Sequence, residues 1–233
     1  MKENVAVIPA RGGSKRIPRK NILNFDGIPL IGRAILVAKK TELFERIIVS
    51  TDDEEIAKIA VEFGAEIPKL RAKNLSDDFA TTYDVMADSL TPSWLGNFVP
   101  QYACCIYPVT PLLTPNRINE SFELLKEKNY SYVFSAICFN TPIERSFKID
   151  DSGRLSMNFP EHLLTRSQDL QKSFHDAGQF YWGKCESWLR KETIFSPLST
   201  AIKCNQYELV DIDTIEDLNW AETIFQIRNK SSQ

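Results

Sequence analysis

The chain has 233 residues, 43% hydrophobic and 25% charged, with a formal net charge of −3, a composition that suits one globular domain with a continuous core and weighs against disorder. No apolar run approaches the length of a membrane span, and the run after Asn4 is too short for a signal peptide, so a cytoplasmic location is expected. Five of the 28 Lys and Arg fall between Arg11 and Lys20, where no acid occurs, leaving 23 against 31 acids elsewhere. That balance points to one local anion site and away from a nucleic-acid-binding protein.

In chain order, Val5-Ala6-Val7-Ile8 reads as a buried strand ended by Pro9. Residues 9 to 21, Pro-Ala-Arg-Gly-Gly-Ser-Lys-Arg-Ile-Pro-Arg-Lys-Asn, then leave its carboxyl end, which is where open α/β sheets bind ligands. Gly12-Gly13 permits main-chain dihedrals that would aim several N–H groups at phosphate oxygens. The pattern is neither G-x-G-x-x-G nor G-x-x-x-x-G-K-[ST], so a dinucleotide fold and a P-loop are disfavoured. The segment Ala10 to Asn21 resembles the N-terminal signature of the CMP-sialic acid synthetase family, whose loop wraps the triphosphate of CTP. The resemblance rests on Arg11, Gly12, Gly13, Ser14, Lys15, Ile17, Pro18, Lys20 and Asn21. It implies CTP as substrate and Ala10, Arg11, Gly12, Gly13, Ser14, Lys15, Lys20 and Asn21 as nucleotide-binding. Arg11 and Lys20 are the implied catalytic cations, with Lys20 nearest the α-phosphate.

Leu30, Ile31, Ala34, Ile35 and Ala38 recur at helical spacing, predicting a helix from about Pro29 to Lys40. Arg46 to Thr51 reads as a second strand, Thr51 with Glu54 as a capping box, and Ile56, Ile59, Ala60 and Phe63 as the next helix's apolar stripe. Gly64 is the expected helix C-cap and Ala65 to Lys69 a short strand. This alternation predicts an α/β protein with a doubly wound, mostly parallel sheet and helices on both faces. Residues 69 to 83 read as a loop before a helix carrying Val85, Met86 and Leu90; by itself Arg71 reads as a surface residue. The resemblance extends here, through Leu70-Arg71, Leu75, Asp78 and Thr81-Thr82, to the family's second nucleotide-contacting segment. It implies Arg71, Thr81 and Thr82 near base and ribose, with Ala72 departing from the usual proline.

Tyr102 to Tyr107 is the most apolar strand and is expected at the sheet centre, and Thr114-Pro115 starts a helix. Tyr107 stands where CMP-sialic acid synthetases typically carry a glutamine that helps define the sugar pocket, which implies an acceptor other than N-acetylneuraminate. Ser131 to Cys138 is the next strand. From Phe139 to Thr165 the pattern weakens around the turn Asp150-Asp151-Ser152-Gly153, a hairpin-like excursion within a single domain. The family's corresponding insertion crosses to a second subunit, which implies a homodimer built through 139–165.

Arg166 to Trp182 is expected to return to the main sheet. The resemblance implies Arg166, Gln168, Gln179 and Tyr181, with Tyr107, as sugar-binding. The run His175 to Trp182 resembles the pseudaminic acid branch of the family more than the neuraminic one. N-acetylneuraminate, legionaminate and a ketodeoxy-octulosonate stay open as acceptors, and a non-catalytic nucleotide-binding module is the reading from another class.

Tyr207 to Asp213 reads as a strand ending in alternate carboxylates, with Thr214 and Asp217 starting a helix whose buried face is Ile215, Leu218, Ala221, Ile224 and Phe225. If the strand persists, Asp211 and Asp213 converge and hold a cation, expected to be Mg²⁺; otherwise Asp213 caps the helix and Asp211 is solvated. Asp211 is also a candidate general base. The five cysteines show no C-x-x-C spacing and read as buried reduced thiols, and two histidines are too few for a multi-histidine metal site.

Overall fold

Along the first strand, β1 (Asn4–Pro9), alternate side chains serve two different cores. Ala6 and Ile8 face one apolar cluster, while Val5 and Val7 face another. A strand buried on both faces is the signature of a parallel sheet covered by helices on each side. The computed structural model describes residues 3–210 and 212–230, and its elements follow from this two-faced arrangement.

A small ladder, β2 (Asn24–Phe25) with β3 (Ile28–Pro29), closes over Asp26 and Gly27, both at positive φ. It hands the chain to α1 (Leu30–Lys40), then β4 (Arg46–Ser50) and α2 (Glu54–Glu62). After a long loop come α3 (Thr82–Ser89), α4 (Pro92–Leu95), β5 (Tyr102–Ile106) and α5 (Pro115–Lys128). Next are β6 (Tyr132–Cys138) and the hairpin β7 (Phe147–Ile149) and β8 (Leu155–Met157). The chain ends with β9 (Phe174–Lys184), α6 (Cys185–Leu189), β10 (Ser199–Cys204) and α7 (Ile215–Lys230).

The six-stranded sheet has the order β10-β6-β9-β5-β1-β4. Every pairing is parallel except those of β9, which runs antiparallel to both β5 and β6. Residues of α1, α2 and α5 cover one face and those of α3, α4 and α6 the other, so the α/β class, both helical layers and the interior place of β5 agree with expectation. A third cluster joins Ile17, Phe25 and Leu30 to Val210, Ile212, Ala221 and Ile224, packing the two ends of the chain together.

Several expectations need correction. The strand expected over 65–69 shrinks to one bridge between Glu66 and Ile48, because Gly64 turns the chain at φ 89° and Pro68 has no N–H to extend a ladder. Thr51 does not cap α2: it is fully buried, and the cap is Asp53, whose side chain accepts from the N–H groups of Glu55 and Ile56. The described residues 207–210 and 212–213 do not form the expected strand. Gln206–Glu208 is a 3-10 turn closed by Asn205 and Glu208, and Glu208 is held by Arg117 of α5 at 2.8 Å. The edge position is taken by β10, which the sequence reading passed over; its Ser-Thr-Ala-Ile-Lys-Cys pattern is only weakly apolar. On α7, Ala221 and Ile224 are buried, with Leu218 and Phe225 against them, while Ile215 is exposed. Arg71 is not a surface residue but 5% exposed.

Cys104, Cys105, Cys185 and Cys204 are buried and free, and Cys138 is half-buried. Burial pushes the Cys185 thiol up to about 12 and the Cys104 thiol well above its ordinary value, so these groups stay protonated and act as small core residues.

Candidate active site

Three adjoining cavities open where β1 and β5 end. The first, about 460 Å³, is walled by the basic loop, with Arg11, Ser14, Lys15, Lys20 and Asn21 on one side and Tyr107-Pro108 on the other. The second, about 220 Å³, shares Pro9, Arg11, Asp78 and Tyr107 with it and continues to Arg71, Thr81 and Thr82. The third, about 250 Å³, shares Thr81, Thr82 and Tyr107 with the second and adds Tyr83, Tyr181, Ile194 and Phe195. The lining therefore runs from cations, through hydroxyls, to aromatic and aliphatic groups, and Tyr107 borders all three.

The loop is mounted from below. Ala10 is fully buried and donates its N–H to Ser50 O at 2.9 Å. The Asn21 side chain donates to Arg11 O at 2.9 Å, which holds the turn from inside. Gly12 donates its N–H to Asp52 Oδ1 at 2.9 Å, so this N–H is taken up by the loop that follows β4. Neither Gly12 nor Gly13 has a positive φ, and the expected special dihedrals are absent. The reason for glycine at position 12 is steric: a Cβ there would stand 2.8 Å from Asp53 Oδ2 and 2.9 Å from Asp53 Cβ. At Gly13 a Cβ would meet nothing within 4 Å. Gly12→Ala is accordingly expected to cost about 1–3 kcal/mol of stability and to weaken CTP binding, while Gly13→Ala stays near wild type in stability. Equilibrium denaturation and nucleotide titration of both variants check this, and equal effects would refute it.

Arg19, with φ 60°, departs from its neighbours in the cluster. Its guanidinium turns to Asp53 and Glu55 at the start of α2 and clips the loop to that helix. The Asp53 carboxyl is held below the usual carboxylate range chiefly by its Arg19 hydrogen bond, with the Ile56 and Glu55 N–H groups adding to this against the opposing effect of burial. A depressed folded pKa means the clip contributes stability fully above the unfolded value of about 4 and loses it as pH falls through the lower folded value. Melting temperature followed below pH 5 should fall less steeply in Asp53→Asn than in wild type; identical slopes would remove Asp53 from the acid response. Nothing in the sequence reading marked Asp52, Asp53 or Arg19 as supports. The available signal was an acidic pair at the end of the strand beside β1.

Lys20 spans the two ends of the chain: its ammonium, 14% exposed, donates to Ile212 O at 2.6 Å and to Asp213 Oδ1 at 3.0 Å. Arg16 reaches the other oxygen of Asp213 at 2.6 Å. Asp213 thus faces the basic loop, while Thr214 and Asp217 form the helix cap. Asp211 lies outside the described residues. Among those residues no group of three or more His, Cys, Asp or Glu is disposed to hold a metal.

The remaining expected residues divide. Arg71 Nε donates to Ser76 Oγ at 3.1 Å; burial lowers its pKa, and the Asp52 charge opposes that. The Tyr107 and Thr82 hydroxyls hydrogen-bond, and the Tyr107 ring meets Tyr181 edge-on at 5.9 Å. Tyr181 OH donates to Asp176. Gln179 is 1% exposed and donates its amide to Glu208 O at 2.7 Å, so it supports the C-terminal segment and is not on the cleft wall. Arg166 and Gln168 lie on an exposed stretch around the turn Ser167–Asp169, outside the lining of these cavities.

The fold and the cleft define an α/β protein that presents a cationic loop and an adjoining aromatic recess at the carboxyl ends of its parallel strands. The chain belongs to the cytidylyltransferase family, whose model matches residues 5–222, and it is a nucleotidyltransferase. It is 38% identical over 230 residues to the pseudaminic acid cytidylyltransferase of Campylobacter jejuni, covering 99% of both chains. It is 31% identical over 227 residues to the CMP-N,N'-diacetyllegionaminic acid synthase of Legionella pneumophila, covering 94% of each. In fold it is similar to a CMP:2-keto-3-deoxy-manno-octonic acid synthetase complexed with CTP, with TM-score 0.71 at 14% identity over 97% of this chain and 99% of that one.

Proposed function

We propose that this enzyme transfers CMP from CTP to the anomeric hydroxyl of a nine-carbon acidic sugar, pseudaminic acid, with release of pyrophosphate. The observation that carries the reading is the continuity of the cleft, from the cations of the loop past Tyr107 to the recess at Tyr181. A polyphosphate suits the first part, a nucleoside the hydroxyl-lined second, and a sugar with apolar substituents the third. The similarity to the Campylobacter protein supports pseudaminate among the acids.

In this reading the sugar hydroxyl attacks the α-phosphorus in line and pyrophosphate leaves. Charge moves onto the departing group, so cations already in place favour the transition state over bound substrate. Arg11, Lys15 and Lys20 are assigned that role, Ser14 and Asn21 line the phosphate cavity, and Arg71, Thr81 and Thr82 hold the nucleoside. Tyr107 and Tyr181 border the acceptor. Arg166 and Gln168, which lie outside these cavities, are assigned to its polar groups from the family resemblance alone, the guanidinium matching a carboxylate in bidentate fashion. Gln179 acts beneath the cleft.

The donor set suits Mg²⁺ in kind, since Asp213 offers hard oxygen beside the phosphate loop and such an ion uses one or two carboxylates together with substrate phosphates. Asp211 is assigned as the second ligand, or as the base that takes the hydroxyl proton, from its sequence position alone. When bound, the ion supplies positive charge to the phosphate oxygens. Chelation is expected to abolish turnover and added magnesium to restore it; activity that survives chelation would remove the metal from the reading.

The decisive experiment is pyrophosphate release over a matrix of nucleotides and acids. CTP with pseudaminate should give the highest kcat/KM; release with another acid alone would reassign the acceptor, and no release with any pair would overturn the function. The hairpin segment exposes Phe147, Ile149 and Leu155, and Leu163 and Leu164 beyond it. We assign this apolar surface to pairing with a second copy in a homodimer. Ile149→Asp with Leu155→Asp is expected to halve the mass in light scattering, and an unchanged mass would refute the assignment.

A further inference from the structure

The basic loop carries its own anion. Asp78 stands between the first two cavities and borders both. One carboxylate oxygen accepts from Arg11 Nη1 at 2.8 Å, and the other accepts from the Lys15 ammonium. The same Arg11 nitrogen donates to Asp77 O at 3.0 Å. Asp77 in turn accepts the N–H groups of Phe79 and Ala80, each at 2.9 Å, so the tip of the 69–81 loop is a tight turn docked on the phosphate loop by two cations. These are the cations assigned to the polyphosphate, and Asp78 engages both of them.

The other acids around the loop differ in kind. Asp53 is fixed by two helix N–H groups as well as Arg19, and Asp213 sits at the base of α7 against the well-covered Lys20. Asp78 has no such second duty: its side chain is 44% exposed and Lys15 is 77% exposed. Ion pairs this exposed are weak and exchange readily. A polyanion of several charges displaces one carboxylate easily, whereas a monoanion gains little from the exchange.

We propose that Asp78 is an internal counter-anion that occupies the Arg11–Lys15 seat between turnovers, yields it to a polyphosphate, and returns to help expel pyrophosphate. It rests on the reading of the cleft as a polyphosphate site and adds a gate to it. The gate raises the threshold for anions: short or singly charged phosphates fail to displace Asp78, and the product meets a competing carboxylate as it leaves. Because Asp78 is exposed and capped by nothing in the core, its replacement leaves the fold intact.

The test is calorimetric titration of pyrophosphate into wild type, Asp78→Asn and Asp78→Glu at one fixed salt concentration, with pyrophosphate inhibition of turnover measured in parallel. Asp78→Asn is expected to bind pyrophosphate about tenfold tighter and to be inhibited at correspondingly lower concentration, while Asp78→Glu, which keeps the charge, stays near wild type. Equal or weaker binding by Asp78→Asn, with wild type binding normally, would overturn the gate and leave the polyphosphate site standing. Absence of pyrophosphate binding in all three proteins would overturn the site itself and the gate with it.

Discussion

Lys20→Ala is expected to lower kcat about a hundredfold, equivalent to about 3 kcal/mol of lost transition-state stabilisation, with a smaller change in KM for CTP. The argument starts from burial: Lys20 is the most covered of the loop cations whose ion pairs are described, at 14% exposure against 38% for Arg11 and 77% for Lys15. A charge in a partly dry site acts more strongly on a developing anion than one in water. Its contacts to Ile212 O and Asp213 also place it where both ends of the chain meet the cleft. Stability measured beside turnover separates the two roles. If Lys20 acted only by holding the C-terminal segment, Lys20→Ala would lose melting temperature in proportion to its kinetic defect; if it acts on phosphate, kcat falls about a hundredfold while the melting temperature stays near wild type. Wild-type turnover in Lys20→Ala would remove the residue from the reaction.

Trp182→Ala carries the largest expected stability loss, about 3–5 kcal/mol, or a fall in melting temperature of about 10 °C. Trp182 is fully buried on β9, stacked on Phe44 at 5.1 Å, tilted against Phe122 at 4.6 Å, and it donates to Ile118 O at 3.0 Å. It therefore ties the antiparallel strand to α5 and to the turn before β4. Nearby rings belong to other elements and cannot all collapse into the space left behind. Denaturant unfolding measures the loss, and a change below about 1 kcal/mol would mean the core closes over the gap. Since Trp182 does not line the cleft, pyrophosphate affinity of the folded variant at low temperature should match wild type.

The basic loop was legible because its information is local: five cations, two glycines and no acid within ten residues at the end of an apolar run. The layered sheet was legible for the same reason, since periodicities of two and of three to four residues are written along the chain at each element. Supports at a distance were not. Arg19 looked like its neighbours in the cluster until its guanidinium was seen at Asp53 and Glu55. The family resemblance implied Gln179 as a sugar-binding residue, yet its side chain leaves the cleft for Glu208. The apolar-acidic alternation of 207–213 suggested a strand, but Glu208 is claimed by Arg117 and the open sheet edge is filled by β10.

By itself the sequence pointed to an anion site at residues 9–21, since five cations stand together there with no acid among them. It also determined the alternation of strand and helix, because side-chain periodicity is a property of each segment alone. Only the tertiary structure decided how those charges are compensated within the chain: Arg19 by α2, Lys20 and Arg16 by Asp213, Arg11 and Lys15 by Asp78. Gly12 acquired its reason there as well, in the nearness of Asp53. Ion pairs and close approaches form between segments far apart in the chain, and their partners are chosen by packing, which no local pattern records.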